Sequence, residues 1–367
     1  MASQRQNTPG HRDPKSDTSH EILHLDTGLF SIQEIRGKGK GVVASQTIAP
    51  GTCIVSEAPL FTTENITSIE TTERDLSKEL KGLSKEAQRA FLSLHNNYPG
   101  EGQPISNIVR SNAYPLGPSS GVGAIFLTIA RINHSCRPNA QQAWNPLMEK
   151  ETVYAVRPIQ IGEEITLSYH NGGTSSQRQD HLKEHFRFEC TCDACSLPAE
   201  ERKLSDARLT KVQEYDDQIG DSRRVHLKPE DALADCRKLL TIYEEEGISD
   251  TRLPRLYYDA FQICVLHSDQ ARAKTFANRY RSLKVLAEGA DSVDALEIMP
   301  FARKPSSHDS FGATKKWAQS LKQIPKDLDA ENFEKWLWRE PVSKNTSPAV
   351  PTRKGDTELG FLTWPNA

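Results

Sequence analysis

No run of about 18 apolar residues occurs anywhere in this chain, so no segment of it reads as a membrane-spanning helix. An excess of positive charge is also lacking. With 46 basic against 49 acidic residues and a formal net charge of −3, there is no broad cationic field to grip phosphates, and no nucleic acid partner is expected. The opening stretch MASQRQNTPGHRDPKSDTSH lacks the apolar core of a signal peptide. The expected setting is intracellular, in the nucleus, the cytoplasm or both, since Arg353-Lys354 is too short a basic stretch to serve as a nuclear address. Cysteine is scarce, at 7 residues, and in a reducing compartment a cluster of thiols points to metal ligands or nucleophiles rather than disulfides. The sequons Asn65-Ile66-Thr67 and Asn345-Thr346-Ser347 then read as chance matches.

At 367 residues the chain suits two domains, each long enough to bury a core. Residues 1–26 are polar and read as disordered. The segments Phe30 to Ile35, Gly41 to Ile48 and Cys53 to Phe61 are short, rich in β-branched residues and punctuated by glycine or Pro50-Gly51, as strands and turns are. Residues 75 to 95 change to helical spacing, with Leu76, Leu80, Leu83, Ala87, Ala90 and Leu94 three or four apart. Strands return at Ala140 to Trp144, Thr152 to Ile159 and Ile165 to His170, with Gly162 as a turn. Beyond the cysteines the chain is helical. Leu233, Cys236, Leu240 and Tyr243 share one face; Leu256, Ala260, Cys264 and His267 a second; Phe276, Tyr280, Leu283 and Ala287 a third. Gly247 and Gly289 suit C-caps of the first and third. A last helix is expected over Ala330 to Trp338, and residues 341–367 read as a flexible tail.

Cys190-Thr-Cys192-Asp-Ala-Cys195 has the spacing C-x-C-x-x-C, close enough for three thiolates to wrap one zinc ion, which takes four ligands in a closed structural site. Cys236 and Cys264 lie on apolar helix faces and Cys53 in a β segment, where a thiol behaves as a small hydrophobe. Cys136 sits in the polar stretch Asn133-His134-Ser135-Cys136-Arg137-Pro138-Asn139 and is assigned as the fourth ligand. A thiol redox motif would need a βαβ setting that the flanking segments do not offer.

Arg131-Ile132-Asn133-His134-Ser135-Cys136-Arg137-Pro138-Asn139 followed by Gly162-Glu163-Glu164-Ile165-Thr166-Leu167-Ser168-Tyr169 resembles the SET-domain protein-lysine methyltransferases. Arg36 to Ala44 looks like that family's glycine-bearing first block, and the cysteine segment after Phe188 like its post-SET zinc segment. Gly37, Gly39 and Gly41 lack the spacing of a dinucleotide fingerprint and lead into a β-like segment. The chain is most similar to the SET and MYND type, yet no cysteine lies between Phe61 and Asn133 to build the MYND zinc insert, so it looks like a fungal-type protein without it.

The resemblance implies an α+β chain: a β-rich SET domain over 27–172 with a helical insert at about 64–130, a zinc-binding post-SET segment over 173–200, and an all-α, TPR-like C-terminal domain over 201–340. It implies S-adenosyl-L-methionine (S-adenosylmethionine) as cofactor, one structural zinc ion on Cys136, Cys190, Cys192 and Cys195, a protein or peptide substrate presenting a lysine, and a monomer. Tyr169 matches the catalytic position. Lys38, Gly39, Lys40, Asn112, Asn133, His134, Tyr169 and Phe188 match cofactor contacts, and Phe186 joins Tyr169 along the lysine channel. Phe186 stands where related sequences often carry tyrosine. Such an enzyme must desolvate the amine, because free lysine titrates near 10.4 and burial lowers that value. The alternative, a weakly active or inactive SET-fold scaffold that binds a partner protein through its helical C-terminal domain, has no need of Tyr169.

Overall fold

The computed structural model describes residues 28–64, 71–118 and 120–342. The expectations for residues 1–26, for both sequons and for the tail beyond 342 lie outside them.

Three small sheets form the first half. β1 (Phe30–Ile35) and β2 (Gly39–Ala44) make a hairpin with Ile32 opposite Val42. Gly37 and Gly39, at φ of 78° and 71°, supply the left-handed backbone that its turn requires. β3 (Cys53–Glu57) pairs with β9 (Lys150–Ala155), which pairs with β8 (Ala140–Asn145). β4 (Phe61–Thr62), β6 (Gly123–Ile125) and β5 (Tyr114–Pro115) form the third sheet. The first sheet is completed by β10 (Glu164–Leu167), antiparallel to β2 and parallel to β7 (Asn133–His134). Val42, Ile54, Phe126, Ile132, Val153, Ile159 and Ile165 are buried together between these sheets.

Asn139 makes the parallel pairing of β7 and β10 specific. Its carbonyl oxygen accepts from the Thr166 backbone N–H at 2.8 Å, and its amide donates to the Glu164 carbonyl at 2.9 Å and to the Glu163 carboxylate at 3.0 Å. At 1% exposure these bonds replace every lost water contact, which a buried amide requires.

The helical spacing over 75 to 95 resolves into two helices, α1 (Thr72–Gly82) and α2 (Lys85–Leu92). The break falls where Leu83 turns extended and the Ser84 side chain accepts from the Ala87 N–H, an N-cap that starts a new helix. α3 (Pro104–Asn112) packs on α1, and Leu76, Leu80, Phe91 and Ile108 share their core. Strands also stop earlier than the letters suggest: β9 ends at Ala155 and β10 at Leu167. Just past β10 the Tyr169 N–H turns to the His134 imidazole instead of a partner strand.

α4 (Ser175–Phe186) starts from a capping box of Thr174 and Gln177 and ends at Arg187 in the left-handed region. The cysteine loop follows. The remainder is helical: α5 (Ala199–Gly220), α6 (Ser222–Leu227), α7 (Pro229–Glu246), α8 (Arg252–Leu266), α9 (Gln270–Glu288), α10 (Val293–Glu297), α11 (Met299–Arg303) and α12 (Ala330–Leu337). α5 packs on α7, α7 on α8 and α8 on α9. The three expected apolar faces are buried in one core, in which Cys236 and Cys264 sit fully enclosed. Gly247 caps α7 in the left-handed region, as expected. α9 also lies against β8 and β9, and Asn145 donates to Asp291 at 2.9 Å across that contact. No helix among the described residues is long and apolar enough to cross a membrane.

Candidate active site and cysteine cluster

The hairpin turn, β7 and the end of β10 meet at one edge of the first sheet. Glu164 organises it: one carboxylate oxygen accepts from Lys38 Nζ at 2.7 Å, the other from Asn133 Nδ2 at 2.8 Å. Asn133 Nδ2 also donates to the Lys40 carbonyl at 3.2 Å, so the hairpin and the Asn-His strand are tied through one side chain. Gly41 makes room for this. A methyl group there would lie 2.7 Å from Asn133 Nδ2 and 2.9 Å from Glu164 Oε1, closer than real side chains approach.

His134 is 4% exposed, and burial pulls its imidazole down to about 4, so the ring is neutral at physiological pH. Its Nδ1 accepts from the Tyr169 backbone at 3.0 Å. Around it stand the rings of Tyr169 at 5.3 Å, His170 at 5.0 Å and Phe188 at 6.1 Å. Tyr169 donates its hydroxyl proton to the Ile132 carbonyl at 2.6 Å, and burial, followed by the Glu164 charge, pushes the phenol well above its ordinary range. The hydroxyl therefore stays protonated and offers its lone pairs, not a base. Phe186 stacks at 4.8 Å from Tyr169, tilted by 31°.

The four expected thiols converge. Cys136 lies 4.0 Å from Cys190 and 3.5 Å from Cys195, and all four sulfurs are within 4.8 Å of one another. Tetrahedral zinc with bonds of about 2.3 Å would hold sulfurs roughly 3.8 Å apart, so the donor set fits one zinc ion. Gln179 on α4 fixes the loop by accepting from the Cys190 N–H at 2.9 Å and donating to its carbonyl at 2.7 Å. Tyr169, Phe186 and Phe188 pack in the same apolar cluster as Cys136, Leu182, Cys190 and Ala194.

Lys38, Gly39, Lys40, Asn133, His134, Tyr169, Phe186 and Phe188 are thus gathered around one edge of the fold. Asn112 stands differently: it is buried at the end of α3, where its amide donates to the His95 and Ile108 carbonyls, both at 2.7 Å, and no hydrogen bond among the described residues joins it to the others. Three neighbours were not singled out from the letters. Glu164 is the anchor just described; His181 Nε2 lies 3.1 Å from the Tyr169 carbonyl; Arg178 is buried beside the thiols. The spacing Arg178, Leu182, Phe186 along α4 marks one inward face and was the available signal for the last.

A SET-domain family model matches residues 39–170. The chain is 34% identical over 287 residues to the histone-lysine N-methyltransferase set5 of Schizosaccharomyces pombe, a match that covers 77% of this chain and 86% of that protein. It is 32% identical to human histone-lysine N-methyltransferase SMYD3 over 40% of this chain and 32% of SMYD3. Against human N-lysine methyltransferase SMYD2 it is 28% identical over 42% and 39%. The chain belongs to the SET-domain family of protein-lysine methyltransferases. Its activity is S-adenosylmethionine-dependent methylation of a protein lysine, and its similarity runs to the SET and MYND type.

Proposed function

We propose that this site methylates a lysine on a histone or another intracellular protein, with Tyr169 as the catalytic residue. The packing of Tyr169, Phe186 and Phe188 with the thiols in one apolar cluster carries the reading. S-adenosylmethionine supplies a methyl group activated on sulfur. Lys38, Gly39 and Lys40 present positive charge and close backbone to its carboxylate end, while Asn133, His134 and Phe188 hold its amino and adenine ends. The Tyr169 hydroxyl, its proton committed to Ile132, points lone pairs at the polarised methyl. Tyr169 and Phe186 form aromatic walls that desolvate the incoming amine and lower its pKa, which lets it attack in its neutral form.

Zinc on the four cysteines gives the loop its shape and so sets Phe186 and Phe188 in place. This reading divides the chain at about residues 172, 200 and 340 into SET domain, post-SET segment, helical domain and tail. The proposed working unit is a monomer. The histone-lysine names of the relatives favour a histone tail and a nuclear or cytoplasmic site of action. Incubation with labelled S-adenosylmethionine and an extract from cells lacking the protein, followed by mass spectrometry, should locate label on a specific lysine. Label only on nucleic acid, small molecules or nothing would overturn the proposal.

A further inference from the structure

Arg178 is 5% exposed, yet none of the ion pairs among the described residues includes it. Its Nη1 donates to the Gly173 carbonyl at 2.6 Å, and its Nε has no partner. The nearby carboxylates are taken, Glu246 by Arg137 and Arg208, and Asp250 by Arg252. A guanidinium removed from water without an anion is costly, so a counter-charge must lie within reach. Arg178 and Cys136 line the same cavity, about 20 Å³ in volume and large enough for one water. Burial works against its charge, and the neighbouring Cys136 and Cys195 sulfurs favour it. Neutral thiols would not balance it. Four thiolates on one divalent ion carry a net charge of two negative and would.

Two histidines converge on the same sulfur. His134 Nδ1 accepts a backbone N–H, so its Nε2 carries the proton and faces Cys136 Sγ at 3.4 Å. His170 Nδ1 accepts from the Gly172 N–H at 2.9 Å, which leaves its Nε2–H buried, partnerless and in the same cavity. A ring nitrogen of His170 lies within 4.8 Å of the Cys136 sulfur. We propose that Arg178, together with His134 and His170, forms the charge-balancing, hydrogen-bonding shell of a zinc–thiolate centre on Cys136, Cys190, Cys192 and Cys195. This rests on the zinc reading above. Such outer groups orient ligands and hold thiolates against protonation and metal loss.

The test compares zinc content and the rate of zinc transfer to the chelator pyridylazoresorcinol for wild type, Arg178→Met and Arg178→Lys. Wild type should hold one zinc ion; Arg178→Met should release it about tenfold faster, and Arg178→Lys should fall between, because an ammonium keeps the charge but loses the planar fork. With cobalt in place of zinc, the sulfur-to-metal charge-transfer bands should move to lower energy in Arg178→Met, a change that loosened packing alone would not produce. Unchanged release from the zinc-loaded variants and unchanged bands in the cobalt-loaded ones overturn this inference and leave the zinc reading standing. A wild type without zinc overturns both. If Arg178→Met does not fold, cadmium-loaded wild type decides: couplings from cadmium to the guanidinium or imidazole N–H protons support the shell, and their absence from all three side chains refutes it.

Discussion

Glu151 gives a quantitative handle on the fold around the site. It is 2% exposed in the middle of the second sheet, opposite Glu57, and its Oε2 has no hydrogen-bond partner. Burial pushes its carboxyl from 4.5 up to about 8. The native state then binds a proton that the unfolded state has released, so stability is full below pH 4.5 and is lost as pH rises toward 8. At 1.36 kcal/mol per unit, the part of that loss between pH 6 and pH 9 is roughly 3 kcal/mol, with almost none beyond. Glu151→Gln keeps the shape and removes the titration. Urea unfolding of zinc-loaded wild type and variant at pH 6 and pH 9 should show the variant gaining roughly 3 kcal/mol on wild type over that interval. Other titrating groups cancel in the comparison. Parallel pH profiles would show that Glu151 is already ionised in the native protein and refute the burial argument.

Other perturbations follow from the same contacts. Gly41→Ala clashes with Ile35, Asn133 and Glu164 and should weaken S-adenosylmethionine binding by about 1.4 kcal/mol, tenfold by calorimetry, along with a lower melting temperature. Phe186→Tyr adds an oxygen beside Tyr169; wild type should transfer more than one methyl group to a peptide lysine by mass spectrometry and the variant fewer, whereas strict monomethylation by both would refute the role of Phe186. Glu246→Ala removes a buried carboxylate that accepts from Arg137 of the Asn-His segment at 3.0 Å and from Ser205 and Arg208 of α5. The arginines are about a third exposed, so solvent compensates in part, and the loss should be about 2 kcal/mol by denaturant melts.

What could be read from the letters is what neighbouring letters decide. The Asn-His and Gly-Glu-Glu-Ile-Thr stretches were legible as two short motifs, but their parallel pairing and the lock through Asn139 join positions 24 to 33 apart and appear only in the fold. Three thiols within six residues can only face one another, and helix faces repeat every three or four letters. The rest depends on distant encounters. Lys38 and Glu164 are 126 positions apart, and nothing local selects that carboxylate from the many others. Arg178 lies in a largely polar helix, and the only local sign of its inward face is the spacing it shares with Leu182 and Phe186. For Asn112 a three-letter match could not reveal that two backbone carbonyls already claim its amide. The split at Ser84 had a signal, Gly82 followed by a capping serine, which the continuous apolar spacing masked.

Tyr169→Phe separates chemistry from binding, because it deletes the hydroxyl while keeping the ring against His134 and Phe186. The account predicts S-adenosylmethionine affinity within about twofold of wild type and single-turnover methyl transfer to lysine lowered by about a hundredfold or more. Transfer at the wild-type rate would contradict it.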